Sequence, residues 1–290
     1  MSEQTALLIE PRLHDLGDGF TVRRLLPFRL RRNVGPFVFF DHIGPAAIAP
    51  GRGLDVRPHP HIGLATVTYL YEGALTHRDS LGRDQVIRPG DVNWMTAGRG
   101  VVHSERTPAP ERARGHRMHG IQTWVALPRE FAETAPEFLH HEADSLPFAD
   151  RDGVRLRVIA GRAFDLESPV RVFSPTLYVD VEMQVGSRLV VPPEHAERAI
   201  YVVSGDVDVD GVGVAPTHMQ VLADGDVEVR ATSTARVLLC GGAPLDGERI
   251  LWWNFVASSQ ERIDQAKADW LGQRFGDVPG EAEFIPLPEH

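Results

Sequence analysis

The chain carries a single cysteine, Cys240. One thiol cannot close an internal disulfide, so the fold does not depend on an oxidising compartment. Cys240 ends the run Val237-Leu238-Leu239-Cys240 and reads as a small buried apolar residue. Long hydrophobic runs are also missing. No apolar stretch approaches the ~20 residues that a bilayer-spanning helix needs, so no membrane association is expected. Met1–Glu10 shows no cationic region followed by an apolar stretch, hence no secretory signal, and a cytoplasmic protein is the expectation. Surplus positive charge is absent as well. Lys and Arg number 30 against 40 Asp and Glu, a formal net charge of -10 at pH 7. Direct nucleic-acid binding calls for a basic field and is not expected. The one locally basic segment, Arg23 to Arg32, reads as a solvated strand face.

What is present describes a β-rich globular protein. At ~150 residues per domain, 290 residues suggest two domains. Gly (27) and Pro (22) are plentiful, as many short strands joined by tight turns require. Short apolar runs recur with turn residues around them: Phe37–Phe40, Ala65–Tyr71, Ile121–Leu127, Leu156–Ala160, Leu177–Val181, Ala199–Val203 and Arg236–Leu239. No helical periods intervene, which favours sandwiches or barrels over a βαβ plan. Ala109–Arg117 is polar and basic and reads as a loop. Arg129–Phe148, rich in acids and prolines, reads as an irregular connection, and the domain boundary is placed within it, giving 1–135 and 136–290. A weak repeat supports two copies of one barrel: Tyr69-Leu70-Tyr71-Glu72-Gly73 matches Tyr201-Val202-Val203-Ser204-Gly205. Near the C-terminus, Ser258 with Glu261 forms a capping box. Ile263, Ala266, Trp270 and Leu271 follow at helical spacing, which predicts a helix of about four turns.

The chemistry concentrates in two short motifs. His59-Pro60-His61 sets two imidazoles two residues apart, and on an extended strand such residues share one face. Pro60 keeps the backbone extended. His103-Ser104-Glu105 repeats the spacing with an imidazole and a carboxylate. Neighbouring strands of a small barrel would aim all four groups into one lumen. Such a nitrogen and oxygen donor set suits iron, manganese, nickel, copper or zinc, with coordination positions left open for chemistry. Gln122 and Trp124 are candidates to line the same lumen, and His77 to approach the open face of the metal. Asp41 and His42 could shape the pocket mouth or cap a turn. Arg99, between Gly98 and Gly100, reads as a brace for its loop. His116, His119, His140 and His141 read as loop residues without partners, and His195 and His218 as isolated surface histidines.

The run from Pro58 to Pro108 resembles the N-terminal cupin domain of the pirin family. The likeness rests on His59-Pro60-His61-Ile62-Gly63, Thr66-Val67-Thr68-Tyr69-Leu70-Tyr71-Glu72-Gly73, His77-Arg78-Asp79-Ser80, Pro89-Gly90-Asp91-Val92-Asn93-Trp94-Met95-Thr96-Ala97-Gly98-Arg99-Gly100 and His103-Ser104-Glu105. The resemblance implies an all-β chain of two tandem cupin (jelly-roll) barrels with a C-terminal helix. It implies a single iron, as Fe(II), on His59, His61, His103 and Glu105, and a second barrel without metal. At the repeat offset His59 and His61 fall on Val191 and Pro193, which cannot ligate. One departure is Ala65, where many pirins carry Glu. Pirins are similar to quercetin 2,3-dioxygenases, which implies O2 chemistry on a flavonol or related enolic substrate, with Glu105 as both ligand and catalytic base. The family also implies an alternative: a non-enzymatic iron-binding regulator, a transcriptional co-regulator or modulator of a metabolic enzyme, acting through a protein partner.

Overall fold

A computed structural model describes residues 6–15 and 21–289. Met1–Thr5, part of the stretch read for a signal, lie outside the described residues. The described chain is mostly strand and forms cupin barrels in tandem, with a C-terminal helix. Among the described residues no helix is long and apolar enough to cross a membrane.

Contacts divide the described residues into two units: residues 6–15, 22–42 and 144–244, and residues 21, 43–143 and 245–289. The division differs from the single cut expected between residues 135 and 136, and strand alternation explains one of the exchanges. In the second unit His61 and His103 point inward, so Ile62 and Val102 point outward and need cover. The C-terminal segment supplies it: Ile62 and Val102 bury with Phe255, Ala257, Ile263, Ala266 and Trp270. Phe255 makes a parallel bridge to Ile62. The C-terminal helix therefore belongs with the histidine-bearing barrel and not with residues 136–244.

In the first unit, Phe37 and Phe40 pack at a tilt against Tyr178 and Tyr201, and Gly35 N–H donates to Glu197 at 2.6 Å. The sheet runs Leu7–Ile9, Met219–Val221, Glu197–Ser204, Ala235–Gly242, Thr176–Met183, Val154–Ala163, Phe148–Arg151. A four-stranded sheet of Arg188–Val191, Val227–Ala231, Val207–Val209 and Val212–Val214 completes the unit. Its interior is a cluster of aliphatic side chains including Val191, Val179, Ile200 and Leu239. Val191 is buried in this cluster, and Pro193 is exposed. His195 and His218 bond backbone carbonyls at the surface. Cys240 is fully buried, and burial pushes its thiol up to about 12.

The second unit repeats the plan. One sheet has seven strands and includes, in this order, Glu137–His141, Val92–Thr96, Leu64–Glu72, His116–Ala126 and Phe37–Ile48; the other runs Asp55–His61, Val101–Arg106, Leu75–Asp79, Asp84–Ile87. Tyr69 and Tyr201 are both buried in the central strand of their copy, and both strands lead to glycines of positive φ, Gly73 at 89° and Gly205 at 74°. Only a residue without Cβ adopts that turn cheaply, which is why the repeat is visible at its glycines.

Several local expectations change. Ala109–Arg114 forms a short helix, and Glu137–His141 is a strand paired with Val92–Thr96. His116, His119, His140 and His141 accordingly lie on strands and not in loops. The C-terminal helix spans Gln260–Leu271, about three turns, with Ser259 and not Ser258 as its cap: the Ser259 hydroxyl accepts from Arg262 N–H. Ile263, Ala266 and Trp270 are buried, but Leu271 is 74% exposed because it falls past the covered stripe. In the basic segment Arg29 and Arg32 are exposed, whereas Arg24 forks onto Asp41 at 2.8 Å and Arg31 pairs with Glu197 at 3.0 Å. Asp41 and His42 are buried on the strand Phe37–Ile48 in place of capping a turn, and His42 Nδ1 lies 2.6 Å from the Tyr201 hydroxyl. Arg99 braces its loop through its backbone, donating to Thr134 O and accepting from Arg262.

Candidate metal centre

The strands Asp55–His61 and Val101–Arg106 pair antiparallel, with His103 directly opposite His59 and Val101 opposite His61. Alternation sends His59, His61 and His103 into the barrel. Their ring centroids lie 5.0, 4.4 and 5.0 Å apart, and one ring nitrogen from each falls within 4.8 Å of the others. This is the one cluster of such groups among the described residues.

Hydrogen bonds on the far side of each ring fix which nitrogen faces the centre. His59 Nδ1 meets Arg57 O at 2.9 Å, and His61 Nδ1 meets Asn254 O at 3.1 Å. A carbonyl can only accept, so both Nδ1 atoms carry the proton and both Nε2 atoms keep a lone pair. His103 Nδ1 lies 3.3 Å from His77 Nδ1, and His103 Nε2 is buried without any hydrogen-bond partner. An unsatisfied buried nitrogen costs ~1–3 kcal/mol, and a cation held by His103 Nε2 together with the His59 and His61 rings would remove that cost. The set fits a single metal ion.

Glu105 lies two residues beyond His103 on a strand that pairs regularly with Leu75–Asp79; the register irregularity opposite it falls in the strand Asp55–His61. Its carboxylate is not among the groups gathered within 4.8 Å. Its Oε1 accepts from Gln122 Nε2 at 2.8 Å and from Thr68 Oγ1 at 3.4 Å. Glu105 and Gln122 are thus lumen neighbours, and Trp124 meets His61 edge-on at 5.1 Å. His77 sits behind His103, stacked on Phe138 at 4.2 Å, and does not line the open face.

Sequence reading missed Thr68, Asp79 and Asn254. Asp79 follows His77 at the same two-residue spacing that exposed the other pairs, so its signal was present. Asn254 acts through a backbone carbonyl 193 residues from His61, which no local pattern carries.

Burial keeps the three imidazoles neutral. It lowers the pKa of His61 and His103 well below the ordinary 6.5, with the neighbouring His59 adding to the effect, and lowers that of His59 against the opposing pull of Arg57 O and Glu105. The unfolded chain takes up protons near 6.5 that the folded barrel refuses until lower pH. Stability of the metal-free protein is therefore whole above that range and is lost as pH falls through it. Its thermal midpoint should drop as pH is lowered from about 8 to about 5; a flat or rising midpoint would contradict neutral buried histidines.

Known proteins place the chain. The pirin profile matches residues 19–125, and the pirin C-terminal cupin domain matches residues 178–276. A pirin-like protein of Caulobacter vibrioides is 50% identical over 289 residues, covering 98% of this chain and 99% of that one. Human pirin is 34% identical over 284 residues, covering 95% and 94%. A crystal structure described as quercetin 2,3-dioxygenase from Acinetobacter baumannii superposes with a TM-score of 0.91 at 36% identity, covering 98% and 95%. With both barrels matched and half its residues shared with a relative of equal extent, the chain belongs to the pirin family.

Proposed function

We propose that the chain is a metal-dependent dioxygenase of the quercetin 2,3-dioxygenase type, holding one iron on His59, His61 and His103 with Glu105 as a fourth, mobile ligand. The observation that carries the metal reading is the buried, unpartnered Nε2 of His103 beside two imidazoles whose Nδ1 protons are tied to carbonyls. Likeness to the Acinetobacter enzyme supports the reaction class. Three neutral nitrogens leave coordination positions open, and iron, when bound, supplies Lewis acidity and one-electron chemistry toward O2. Manganese, nickel, copper and zinc suit the same donors.

The chain's own groups do the rest. Glu105 accepts the proton of an enolic hydroxyl, a step that prepares a flavonol carbon for O2. Gln122, donating to Oε1, holds the carboxylate at the lumen wall and stabilises its charged form. Trp124 supplies an apolar wall against His61 that limits water near the reacting atoms.

The test is oxygen uptake by iron-loaded protein offered a panel of flavonols and enediols. Uptake matched by substrate loss, and abolished by chelation, supports the reading. A fully loaded protein inert to every compound would shift the conclusion to the non-enzymatic iron-binding regulator that the family also contains.

A further inference from the structure

Behind the three histidines runs a chain of hydrogen bonds with one polarity. The Asp79 carboxylate is fully buried. Its Oδ1 accepts the backbone N–H of Leu81 at 2.9 Å and of Arg83 at 3.1 Å. Its Oδ2 lies 2.9 Å from His77 Nε2. On the other side of that ring, His77 Nδ1 lies 3.3 Å from His103 Nδ1. His103 Nε2 then faces the centre with no partner. The three residues sit on the adjacent strands Leu75–Asp79 and Val101–Arg106, where His103 opposes Asp79 and Glu105 opposes His77.

A carboxylate only accepts, so a neutral His77 carries its proton on Nε2 and shows a lone pair at Nδ1. That lone pair can only be met by a proton on His103 Nδ1. The proton is thereby excluded from His103 Nε2, the nitrogen turned to the centre. His59 and His61 reach the same state through one backbone carbonyl each; His103 reaches it through two side chains. We infer that Asp79 and His77 are positioning residues that lock His103 in its metal-accepting tautomer, so that a carboxylate two residues removed from the donor set controls its affinity. The inference rests on the proposed metal site and adds the element that presets it. The stack of His77 on Phe138 holds the relay ring in plane.

The discriminating variant is Asp79→Asn. The amide oxygen can keep both backbone N–H bonds, so the turn Asp79–Arg83 survives. The amide nitrogen then donates toward His77 Nε2, which must accept. His77 moves its proton to Nδ1 and confronts His103 Nδ1 with a donor. His103 is pushed to carry its proton on Nε2, where it blocks a metal. An isosteric change should thus weaken binding of Fe(II) or Co(II) by about 10- to 100-fold, the usual worth of an outer hydrogen-bond partner, with circular dichroism unchanged. His77→Phe keeps the stack and cuts the relay. In that background Asp79→Asn should have no further effect on affinity, a coupling that a merely structural Asp79 would not show.

Nitrogen-15 spectra of the histidine rings in metal-free wild type give a second readout that needs no variant. They should show His77 protonated at Nε2 and His103 at Nδ1, with both reversed in Asp79→Asn. His103 carrying its proton on Nε2 in the wild type, or Asp79→Asn binding metal as wild type does, would overturn the relay. Equal losses from Asp79→Asn with and without His77 would overturn it too. A wild type that binds neither Fe(II) nor Co(II) would instead overturn the metal reading itself, so the two failures are distinct.

Discussion

Glu105→Gln is expected to keep its metal and lose turnover by roughly 10²-fold or more, the ordinary contribution of a general base. The amide preserves the side chain's size and one oxygen. That oxygen can still accept from Gln122 Nε2 and Thr68 Oγ1, so the lumen wall is not disturbed. Three imidazole nitrogens remain to hold the ion. Lost are the negative charge and the ability to take a proton from an enolic hydroxyl at neutral pH. The comparison is of turnover between wild type and variant at matched metal content. A variant as active as wild type would leave the oxygenase reading standing and remove Glu105 as its base. The outcome is informative because Glu105 Oε1 accepts from Gln122 Nε2 while its charge also acts on His59.

The second large effect is expected from the double variant His59→Ala, His61→Ala. It deletes two of the three converging nitrogens and leaves one imidazole. Metal affinity should fall by well over the 10- to 100-fold that loss of an outer hydrogen-bond partner costs. The barrel should still form, because what secures this strand does not involve the two imidazole rings' inward atoms: the ladder to Val101–Arg106, Ile62 in the C-terminal cluster, Val256 N–H on Ile62 O and Ile285 N–H on Pro58 O. The variant also lacks two of the histidines whose burial opposes protonation, so its metal-free form should resist acid better than the wild type does. Thermal melts across pH and metal titrations of both proteins check the pair of outcomes. Full metal retention by the double variant would remove the site assignment.

The barrels were legible because period-two alternation survives in single strands. His59 with His61, and Tyr69 through Gly73 with its later copy, declare strand faces and turns locally. The units' boundaries were not legible. They depend on what covers Ile62 and Val102, and the cover, Phe255 through Trp270, comes from the far end of the chain. Glu105 shows the same limit at the site. Spacing put it on the histidine face, but its hydrogen-bond partners Gln122 and Thr68 lie on other strands, and no local pattern names that pairing. His77 was recognised as a group near the metal and assigned to the open side. Its true place behind His103 follows from the pairing of Leu75–Asp79 with Val101–Arg106, a register absent from the residues themselves.

The central claim is that one ion sits on three imidazoles of one barrel. Elemental analysis combined with X-ray absorption on the metal-loaded protein tests it most directly. The account predicts a single ion per chain, with imidazole nitrogens from His59, His61 and His103 dominating its inner coordination. Two ions per chain, or an inner shell without imidazole, would contradict it.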